Sequence, residues 1–366
     1  MRLIVTHPDD PALPTTWSRA PMNLLQALRA EGHEVHSVAC GRATAFERQS
    51  LRMLQRVRGS DITYSPLFRW YARRRLAAVV HQLRPDAVIH CASTAAVPLG
   101  PSTERHYLYC DSTWHRYVTL MPGAVPPPAR IIDQVDRMER AAYNRFDHLF
   151  AFSSATREDL VSYFGVKTGH ISVIGTGCGN ILPYDGPKDY TSGTILYVAV
   201  RAPRQKGGEL LLAAFRIAVS RNPRLRLIME GGSIPPAMAA GIPNVELRGL
   251  SNPEELQQLF NSASLYAMPA LFEPWGNVYI EALASRTPIL GLNRHSLPDI
   301  TGAGRYGFLV DEESPEAVAR SLLDAISDPV RLDRMGREGQ RHVLDHFTWP
   351  KVAANITALL ETDTPR

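Results

Sequence analysis

Two carboxylates stand at the junction between a short apolar run and a helical pattern. Residues 264–268 have the length and apolar character of a buried strand, and Gly276 then breaks the chain. Asn277 is the expected N-cap of the helix that follows. Glu273 lies in the loop before this helix, and Glu281 lies one turn inside it. The sequence therefore places two acidic side chains around one helix N-terminus.

The start of such a helix is suited to an anion, because its free N–H groups and the positive end of its dipole point outward. Phosphate is the usual anion at such a position. The carboxylates of Glu273 and Glu281 repel an anion, so they are better explained as acceptors for hydroxyl groups. A phosphate with hydroxyls on both sides describes a sugar nucleotide. We expect Glu281 to accept from the ribose and Glu273 from the sugar.

Two cations follow another predicted strand. Residues 194–199 are apolar, and Arg201 and Lys206 come next, directly ahead of Gly207. A guanidinium fork and a mobile ammonium can converge on a diphosphate. The same cations would stabilise negative charge that develops on a leaving phosphate. The alternative is a pair of solvated loop residues, which their combination with the two carboxylates disfavours.

These segments resemble a known family. Glu273 and Glu281, with seven residues between them, resemble the Glu-x7-Glu motif of retaining glycosyltransferases with the GT-B fold, of the family four or group 1 type. Arg201, Lys206 and Gly207 resemble the Arg-x4-Lys-Gly signature of that family. The resemblance covers nearly the whole chain, is strong over residues 197–311 and is weak before residue 85.

The resemblance implies an α/β fold of the GT-B type, in which two Rossmann-like domains with doubly wound parallel sheets face a central cleft. It assigns catalytic roles to Glu273, Arg201 and Lys206. Residues 245–249 resemble the loop that holds the nucleobase through backbone groups. The full set of donor-binding residues that it implies is Arg201, Lys206, Arg248, Glu273, Gly276, Asn277, Val278 and Glu281.

The first half of the chain also alternates strand and helix patterns, as doubly wound sheets do. It departs from the family twice: a Pro-rich loop replaces the glycine-rich loop after the first strand, and Cys110 and Asp111 stand where the family usually has a reaction-centre His. Asp111 follows a predicted strand, at the edge where α/β ligands bind. It is the candidate for contacting the acceptor or the transferred sugar, and a helix-capping aspartate is the alternative.

Two domains are expected from the length of 366 residues and from a linker rich in Gly, Pro and Asp at residues 178–192. We predict an acceptor-side domain over residues 1–185 and a nucleotide-sugar-binding domain over residues 186–347. The resemblance implies that the C-terminal helix, residues 348–366, crosses back to pack on the first domain.

Arginines are concentrated in one region that reads as helical. A side with basic and aromatic residues could meet an anionic membrane that carries a lipid-linked acceptor, and a solvated helix face is the alternative. The arginines are Arg48, Arg52, Arg56, Arg58, Arg69, Arg73, Arg74 and Arg75, and the aromatic residues beside them are Phe68, Trp70 and Tyr71.

The composition limits the other classes. A hydrophobic content of 45% and a charged content of 21% indicate a globular protein. The net charge of +4 favours anionic partners only in a general way, and we expect no nucleic acid as partner. The four cysteines lack metal-binding spacing and suit a reducing cytoplasm. We expect neither a signal peptide nor a transmembrane helix.

We therefore expect a retaining glycosyltransferase that moves a sugar from a nucleotide diphosphate sugar to an acceptor hydroxyl on a glycan, a glycolipid or a small molecule. No Asp-x-Asp triplet occurs, so we expect no metal, and the donor is a substrate rather than a cofactor. A nucleotide-sugar epimerase of the same fold and a catalytically inactive sugar-nucleotide-binding protein are the alternatives. A dinucleotide dehydrogenase is disfavoured, because no Gly-x-Gly-x-x-Gly follows a predicted strand.

Overall fold

The computed structural model describes residues 1–41, 44, 47, 49, 65–179, 181–232 and 234–362. The chain forms two compact units. The first comprises Met1–Leu120, Ala124–Gly177 and Trp349–Arg366, and the second comprises Met121–Gly123 and Cys178–Thr348.

The sheet of the first unit is parallel and has the strand order β2-β1-β3-β4-β5-β6. Its central strands β1, β3, β4 and β5 are almost entirely buried, since a parallel sheet between helices is covered on both faces. They are β1 (Arg2–His7), β2 (Glu34–Ala39), β3 (Ala87–Cys91), β4 (Arg105–Cys110), β5 (His148–Ala151) and β6 (Ile171–Val173).

The helices of this unit follow the strands along the chain, as right-handed crossovers require. Pro21 lies in the first turn of α1, where its missing N–H costs no hydrogen bond. The helices are α1 (Ala20–Ala30), α2 (Pro66–Leu83), α3 (Trp114–Leu120), α4 (Ala129–Tyr143) and α5 (Ser154–Ser162), with short 3-10 helices at Thr16–Arg19 and Thr168–His170.

The sheet of the second unit is also parallel, with the strand order β12-β11-β10-β7-β8-β9. Several of its strands are only three or four residues long, but they are buried on both sides except for β9. The strands are β7 (Thr194–Val198), β8 (Arg226–Glu230), β9 (Val245–Leu247), β10 (Leu265–Ala267), β11 (Ile289–Leu292) and β12 (Gly307–Val310).

The helices of the second unit have clear start signals. Asn252 and Glu255 form a capping box at one of them, and Ser314 and Asp328 cap two others. The helices are α6 (Gly208–Arg221), α7 (Pro236–Ala239), α8 (Pro253–Ser262), α9 (Asn277–Ala284), α10 (Leu297–Ile300), α11 (Pro315–Ser327) and α12 (Pro329–His346).

The last helix, α13 (Trp349–Thr362), belongs to the first unit and packs on α1. Val352, Ala353, Ile356 and Leu360 are its buried residues. Two polar contacts fix its position: the ring Nε2 of His33 lies 2.8 Å from Thr357 Oγ1, and Arg105 Nη1 donates to the carbonyl of Leu360 at 2.7 Å.

Both sheets confirm the predicted architecture of doubly wound parallel sheets. In each one, the strand order reverses beside the first strand, since β1 lies between β2 and β3, and β7 lies between β10 and β8. Ligands of open α/β sheets bind at the carboxyl ends of the strands beside such a reversal. The fold therefore marks one binding position in each unit.

Lys188 binds the C-terminal ends of α8 and α9 in the second unit. Its ammonium donates to the carbonyls of Phe260 at 2.7 Å, Asn261 at 3.2 Å and Ser285 at 3.0 Å, and to Thr287 Oγ1 at 2.7 Å. Carbonyls in a last helical turn have no partner within the helix, so a cation is favourable there.

We predict that Lys188→Met destabilises the second unit by about 2–4 kcal/mol, because the variant leaves buried carbonyls without a donor. Urea unfolding, followed by circular dichroism, measures this change. Lys167 is exposed in the first unit, so Lys167→Met is the control and should change stability by less than about 0.5 kcal/mol. Equal unfolding midpoints for the two variants would contradict this role of Lys188.

Candidate active site

The loop after β7 and the loop after β10 are joined by hydrogen bonds. The carbonyl of Gln205 accepts from the backbone N–H of Leu271 at 2.8 Å and of Phe272 at 3.2 Å, and Gln205 Nε2 donates to the carbonyl of Phe272 at 2.9 Å. The second loop is also held from its far side, where His295 Nε2 lies 3.1 Å from the carbonyl of Leu271. Residues from two distant stretches of sequence are therefore fixed next to each other.

Lys206 and Glu273 form an ion pair at this junction. The carboxylate of Glu273 retains 12% of its exposure and the lysine side chain 25%, so water reaches both only in part. Burial lowers the pKa of Lys206 to about 8. The two residues were predicted from separate motifs with separate roles, and their direct contact is a feature that the sequence analysis missed.

The start of α9 differs from the prediction. Asn277 is not the N-cap: Gly276 occupies that position with φ +83°, and Asn277 is the first helical residue. Glycine adopts this left-handed conformation without strain, whereas Asn does so at some cost. Val278 is half-buried rather than in the core, and the core face of α9 consists of Tyr279, Ile280, Ala282, Leu283 and Ala284.

Glu281 lies on the side of α9 that meets the start of the second unit. A Cβ atom added to Gly179 would collide with Glu281 Oε1, so glycine is needed for this close approach. The Cys178 thiol lies nearby: its pKa is raised to about 12 by burial, and the charge of Glu281 adds to the effect. The structure thus brings Glu281 against a part of the chain that the sequence analysis had treated only as a linker.

The other predicted donor residues lie along the same strand edge. Arg201 is exposed in the loop after β7. Arg248 follows β9, and its Nε lies 3.5 Å from Glu246 Oε1. It lines a cavity of about 210 Å³ at the ends of β8 and β9, together with Glu230 and Leu247.

A second cavity, of about 260 Å³, belongs wholly to the first unit. It lies at the predicted position in the sheet, because Pro8 after β1, Thr94 after β3 and Asp111 after β4 all line it. Trp17 lines the cavity too, and its Nε1 donates to Asp111 Oδ2 at 3.4 Å. Burial raises the pKa of Asp111 to about 6.

Asp111 does not cap a helix. The helix that follows it is α3, and the capping side chain there is that of Thr113, whose Oγ1 accepts from the N–H of Arg116 at 3.2 Å. Asp111 instead faces the cavity, while its backbone carbonyl accepts from Thr156 Oγ1 at 2.6 Å. Asp111 therefore lines the cavity, and its contact with a ligand stays a prediction.

Arg69 lines the same cavity and is only 2% exposed. It forms an ion pair with Glu139, which also accepts from Thr94 Oγ1 at 2.6 Å. Its Nε and Nη1 atoms have no hydrogen-bond partner within the described part of the chain. Buried donors without a partner are rare, so these two nitrogen atoms are candidates for binding a ligand in the cavity.

The backbone is strained at Trp17, which lines this cavity, and at the two residues after it. Trp17, Ser18 and Arg19 have φ values of 40°, 52° and 68°, so three successive residues other than glycine are left-handed. Each such residue costs about 1–2 kcal/mol. With this backbone conformation, the indole of Trp17 packs against Phe152, with ring centroids 5.0 Å apart, and lies beside Asp111.

The predicted membrane-facing side of the Arg-rich region is not confirmed. Arg69 is buried, Arg73 donates to the carbonyl of Val97 at 2.9 Å, and Arg75 donates to the carbonyl of Cys40 at 2.7 Å and pairs with Glu47. Arg74 lies over Trp70, with 5.5 Å from its guanidinium carbon to the ring centroid. Within the described part of α2, most arginines thus bond to the protein itself. The remaining four, Arg48, Arg52, Arg56 and Arg58, lie outside the described residues.

None of the helices that the structure describes is long and apolar enough to span a bilayer.

Two units, each with a parallel six-stranded sheet and flanking helices, are the architecture of the GT-B fold. Comparison with family models agrees. Residues 185–342 match Glycosyl transferases group 1, and residues 18–178 match Glycosyltransferase Family 4. The chain belongs to this family of glycosyltransferases.

Curated relatives align with about two thirds of the chain. A D-inositol 3-phosphate glycosyltransferase of Streptomyces avermitilis is 31% identical over 268 residues, which is 65% of this chain. An MMP alpha-(1->4)-mannosyltransferase of Mycolicibacterium hassiacum is 30% identical over 234 residues, which is 61% of this chain. The aligned part spans 56% of the length of each relative.

Solved structures share the fold. A sucrose-phosphate synthase from Thermosynechococcus elongatus superimposes with a TM-score of 0.75 and 18% identity, covering 99% of this chain and 98% of its own. Anabaena HepE, solved with UDP and glucose, has a TM-score of 0.69 and 14% identity, with coverage of 99% and 100%. At such identities the likeness concerns the fold alone.

We predict that Gly276→Ala destabilises the second unit more than Gly241→Ala does. Both positions are left-handed, with φ values of +83° and +73°, so both variants carry similar backbone strain of about 1 kcal/mol. A Cβ at Gly276 would lie 2.6 Å from Tyr279 Cδ2 and 2.9 Å from Glu273 Cγ, whereas nothing lies within 4 Å at Gly241.

The collision at Gly276 should add roughly 1–3 kcal/mol to the loss of unfolding free energy, as overpacking does. Urea midpoints of the two variants against the unsubstituted protein measure the difference. Equal losses would show that the Gly276 turn has room for a side chain.

Proposed function

We propose that the protein is a retaining glycosyltransferase that moves a sugar from a nucleotide diphosphate sugar to an acceptor hydroxyl. The ion pair between Lys206 and Glu273, in the loop that leads to α9, is the observation that carries this proposal. The pair combines a cation for phosphate with a carboxylate for sugar hydroxyls on two loops joined by Gln205.

The diphosphate would bind where positive charge is concentrated. Arg201 is exposed and Lys206 is partly buried in the same loop after β7. The first backbone N–H groups of α9 add a partial positive charge on the neighbouring strand. These groups supply the charge that a divalent cation would otherwise provide, so we propose transfer without a metal.

The carboxylates would orient the rest of the donor. Glu281 accepts hydrogen bonds from the ribose hydroxyls, and Glu273 accepts from hydroxyls of the transferred sugar. Ionised carboxylates only accept hydrogen bonds, and hydroxyls are the donors that a sugar nucleotide offers. When the donor enters, its phosphate replaces Glu273 as the partner of Lys206, and its sugar hydroxyls replace Lys206 as the partners of Glu273.

The chemical step separates the sugar from the nucleoside diphosphate. Negative charge builds on the leaving phosphate, and Arg201 and Lys206 stabilise it more in the transition state than in the ground state. The acceptor hydroxyl attacks the anomeric carbon from the face that the phosphate leaves. A leaving phosphate oxygen takes the hydroxyl proton, which gives retention without a protein nucleophile.

The acceptor would bind in the cavity of the first unit. At neutral pH, Asp111 is largely ionised and accepts a hydrogen bond from an acceptor hydroxyl, since its pKa is about 6. The Nε and Nη1 atoms of Arg69, which have no hydrogen-bond partner among the described residues, would donate to acceptor oxygens. A volume of about 260 Å³ suits one sugar or cyclitol ring, and it is below the roughly 300–1,000 Å³ of pockets for drug-sized ligands.

Such a ring can be free or linked to a lipid. A lipid-linked acceptor would require peripheral binding to a membrane, and in that case the four arginines outside the described residues would supply the positive charge. We propose the cytoplasm as the site of action, since all four cysteines are free thiols.

We predict that Arg201→Ala and Lys206→Ala each lower kcat/KM by about 100-fold, because each removes a charge that stabilises the leaving phosphate. Folding should be unaffected, as judged by circular dichroism. The pH dependence of kcat/KM should also reflect the titration of Lys206. We expect kcat/KM to fall as pH rises through about 8, because the ammonium loses its proton.

Lys206→Arg is the matched variant for the pH profile. Arginine stays protonated, so the alkaline decrease near pH 8 should disappear even if the overall rate drops. Steady-state assays from pH 6 to 10 with released nucleotide as the readout test this. An unchanged alkaline limb in Lys206→Arg would assign the titration to another group.

We predict that Glu281→Gln weakens nucleoside diphosphate binding by roughly 10- to 100-fold, because the amide is a weaker acceptor for the ribose hydroxyls. Titration calorimetry measures the affinity. The corresponding 2′,3′-dideoxynucleotide is the control, and it should bind the variant and the unsubstituted protein equally. Unchanged binding of the ribonucleotide would place the ribose elsewhere.

A further inference from the structure

Glu230 is a buried carboxylate that neither the predicted site nor the proposed chemistry uses. It is the last residue of β8 and is 4% exposed. Its Oε1 accepts from the backbone N–H of Ser251 at 2.6 Å, and its Oε2 has no hydrogen-bond partner among the described residues. A buried carboxylate oxygen without a donor is costly, so a site that supplies donors is expected there.

The cavity of about 210 Å³ at the ends of β8 and β9 is that site. Glu230 lines it together with the apolar side chains of Met229, Ile234 and Leu247, and Gly232 leaves room at its edge. Arg248 is the other charged residue that lines it, and apolar side chains beside a carboxylate suit an aromatic ring that carries hydrogen-bond donors. The volume is too small for a whole nucleotide and is sufficient for one base.

The cavity also lies at the right place for a base. β8 pairs with β7, whose following loop carries Arg201 and Lys206, and β7 pairs with β10 on its other side. Neighbouring strands are about 4.8 Å apart. A nucleoside diphosphate whose phosphates lie at the ends of β7 and β10 can therefore extend its base to the end of β8.

We propose that Glu230 binds the base of the donor nucleotide and makes the site prefer guanine. The inference rests on the proposed function, because it names the nucleotide of the same donor site. Guanine presents two adjacent donors, N1–H and the 2-amino group, on one edge. An ionised carboxylate accepts both, and the bond from Ser251 holds it in one orientation.

The other bases fit the carboxylate less well. Uracil presents a single N–H between two carbonyl oxygens, and these oxygens repel a carboxylate. Adenine and cytosine each place a ring-nitrogen acceptor beside their amino group, so the second carboxylate oxygen meets another acceptor. Hydrogen bonds to charged groups are strong enough to separate matched from mismatched bases by roughly 10- to 100-fold in affinity.

The test is titration calorimetry of the full chain with GDP, IDP, UDP and ADP. We expect GDP to bind about 10- to 100-fold more tightly than UDP or ADP. IDP lacks the 2-amino group alone, so it should bind about tenfold more weakly than GDP. This comparison uses only the unsubstituted protein, so it does not depend on the folding of a variant.

A pair of variants localises the effect. Glu230→Gln should lose at least tenfold in GDP affinity and leave UDP affinity unchanged or improved, because its amide N–H₂ can donate to a uracil carbonyl. Glu254 is exposed in the first turn of α8, and Glu254→Gln should preserve the ratio of GDP to UDP affinity.

UDP or ADP binding as tightly as GDP would overturn the selection of guanine and leave the transferase function standing. Preference for GDP that persists in a folded Glu230→Gln would overturn the role of this residue. Binding of none of the four nucleotides would overturn the inference together with the proposed donor site.

Discussion

The second unit is organised around two charges that are partly withdrawn from water. Lys206 and Glu273 come from loops after different strands, and each would be unfavourable in that position without the other. The lowered pKa of Lys206 shows the cost of its burial. The backbone bonds of Gln205 maintain the contact, so the pair depends on the register of β7 beside β10. A ligand that offers both an anion and hydroxyls, such as the proposed sugar nucleotide, would satisfy the two charges at once.

The sequence allowed the prediction of much of the fold. Runs such as Leu3–Val5 and residues 195–198 are apolar, and parallel strands covered on both faces need that pattern. The loops that carry Arg201 and Glu273 were also identified, because the residues after a parallel strand stand at the ligand-binding edge of its sheet. Residue types and spacing were thus sufficient to locate the residues that directly follow a strand.

Contacts between residues far apart in the sequence could not be predicted. Arg69 and Glu139 are 70 positions apart, and nothing in either segment indicates the other. Arg69 and Arg73 share one face of α2, and a charged face usually meets water, so the sequence favoured an outer surface. In the structure Arg69 pairs with Glu139 of α4, and Arg73 donates to the carbonyl of Val97. The start of α9 was misplaced for a smaller reason: Asn and Gly both occur at helix starts, and only the backbone angle of Gly276 distinguishes them.

The packing of α13 on α1 has a consequence for biosynthesis. The first unit contains residues from both ends of the described chain, while residues 178–348 of the second unit are contiguous. At about 5–20 residues per second, a ribosome needs roughly 10–35 s to make that intervening stretch. During this interval α1 lacks the C-terminal helix that packs on it. The second unit can therefore complete its folding before the first, which reverses the usual order of folding from the N-terminus during translation.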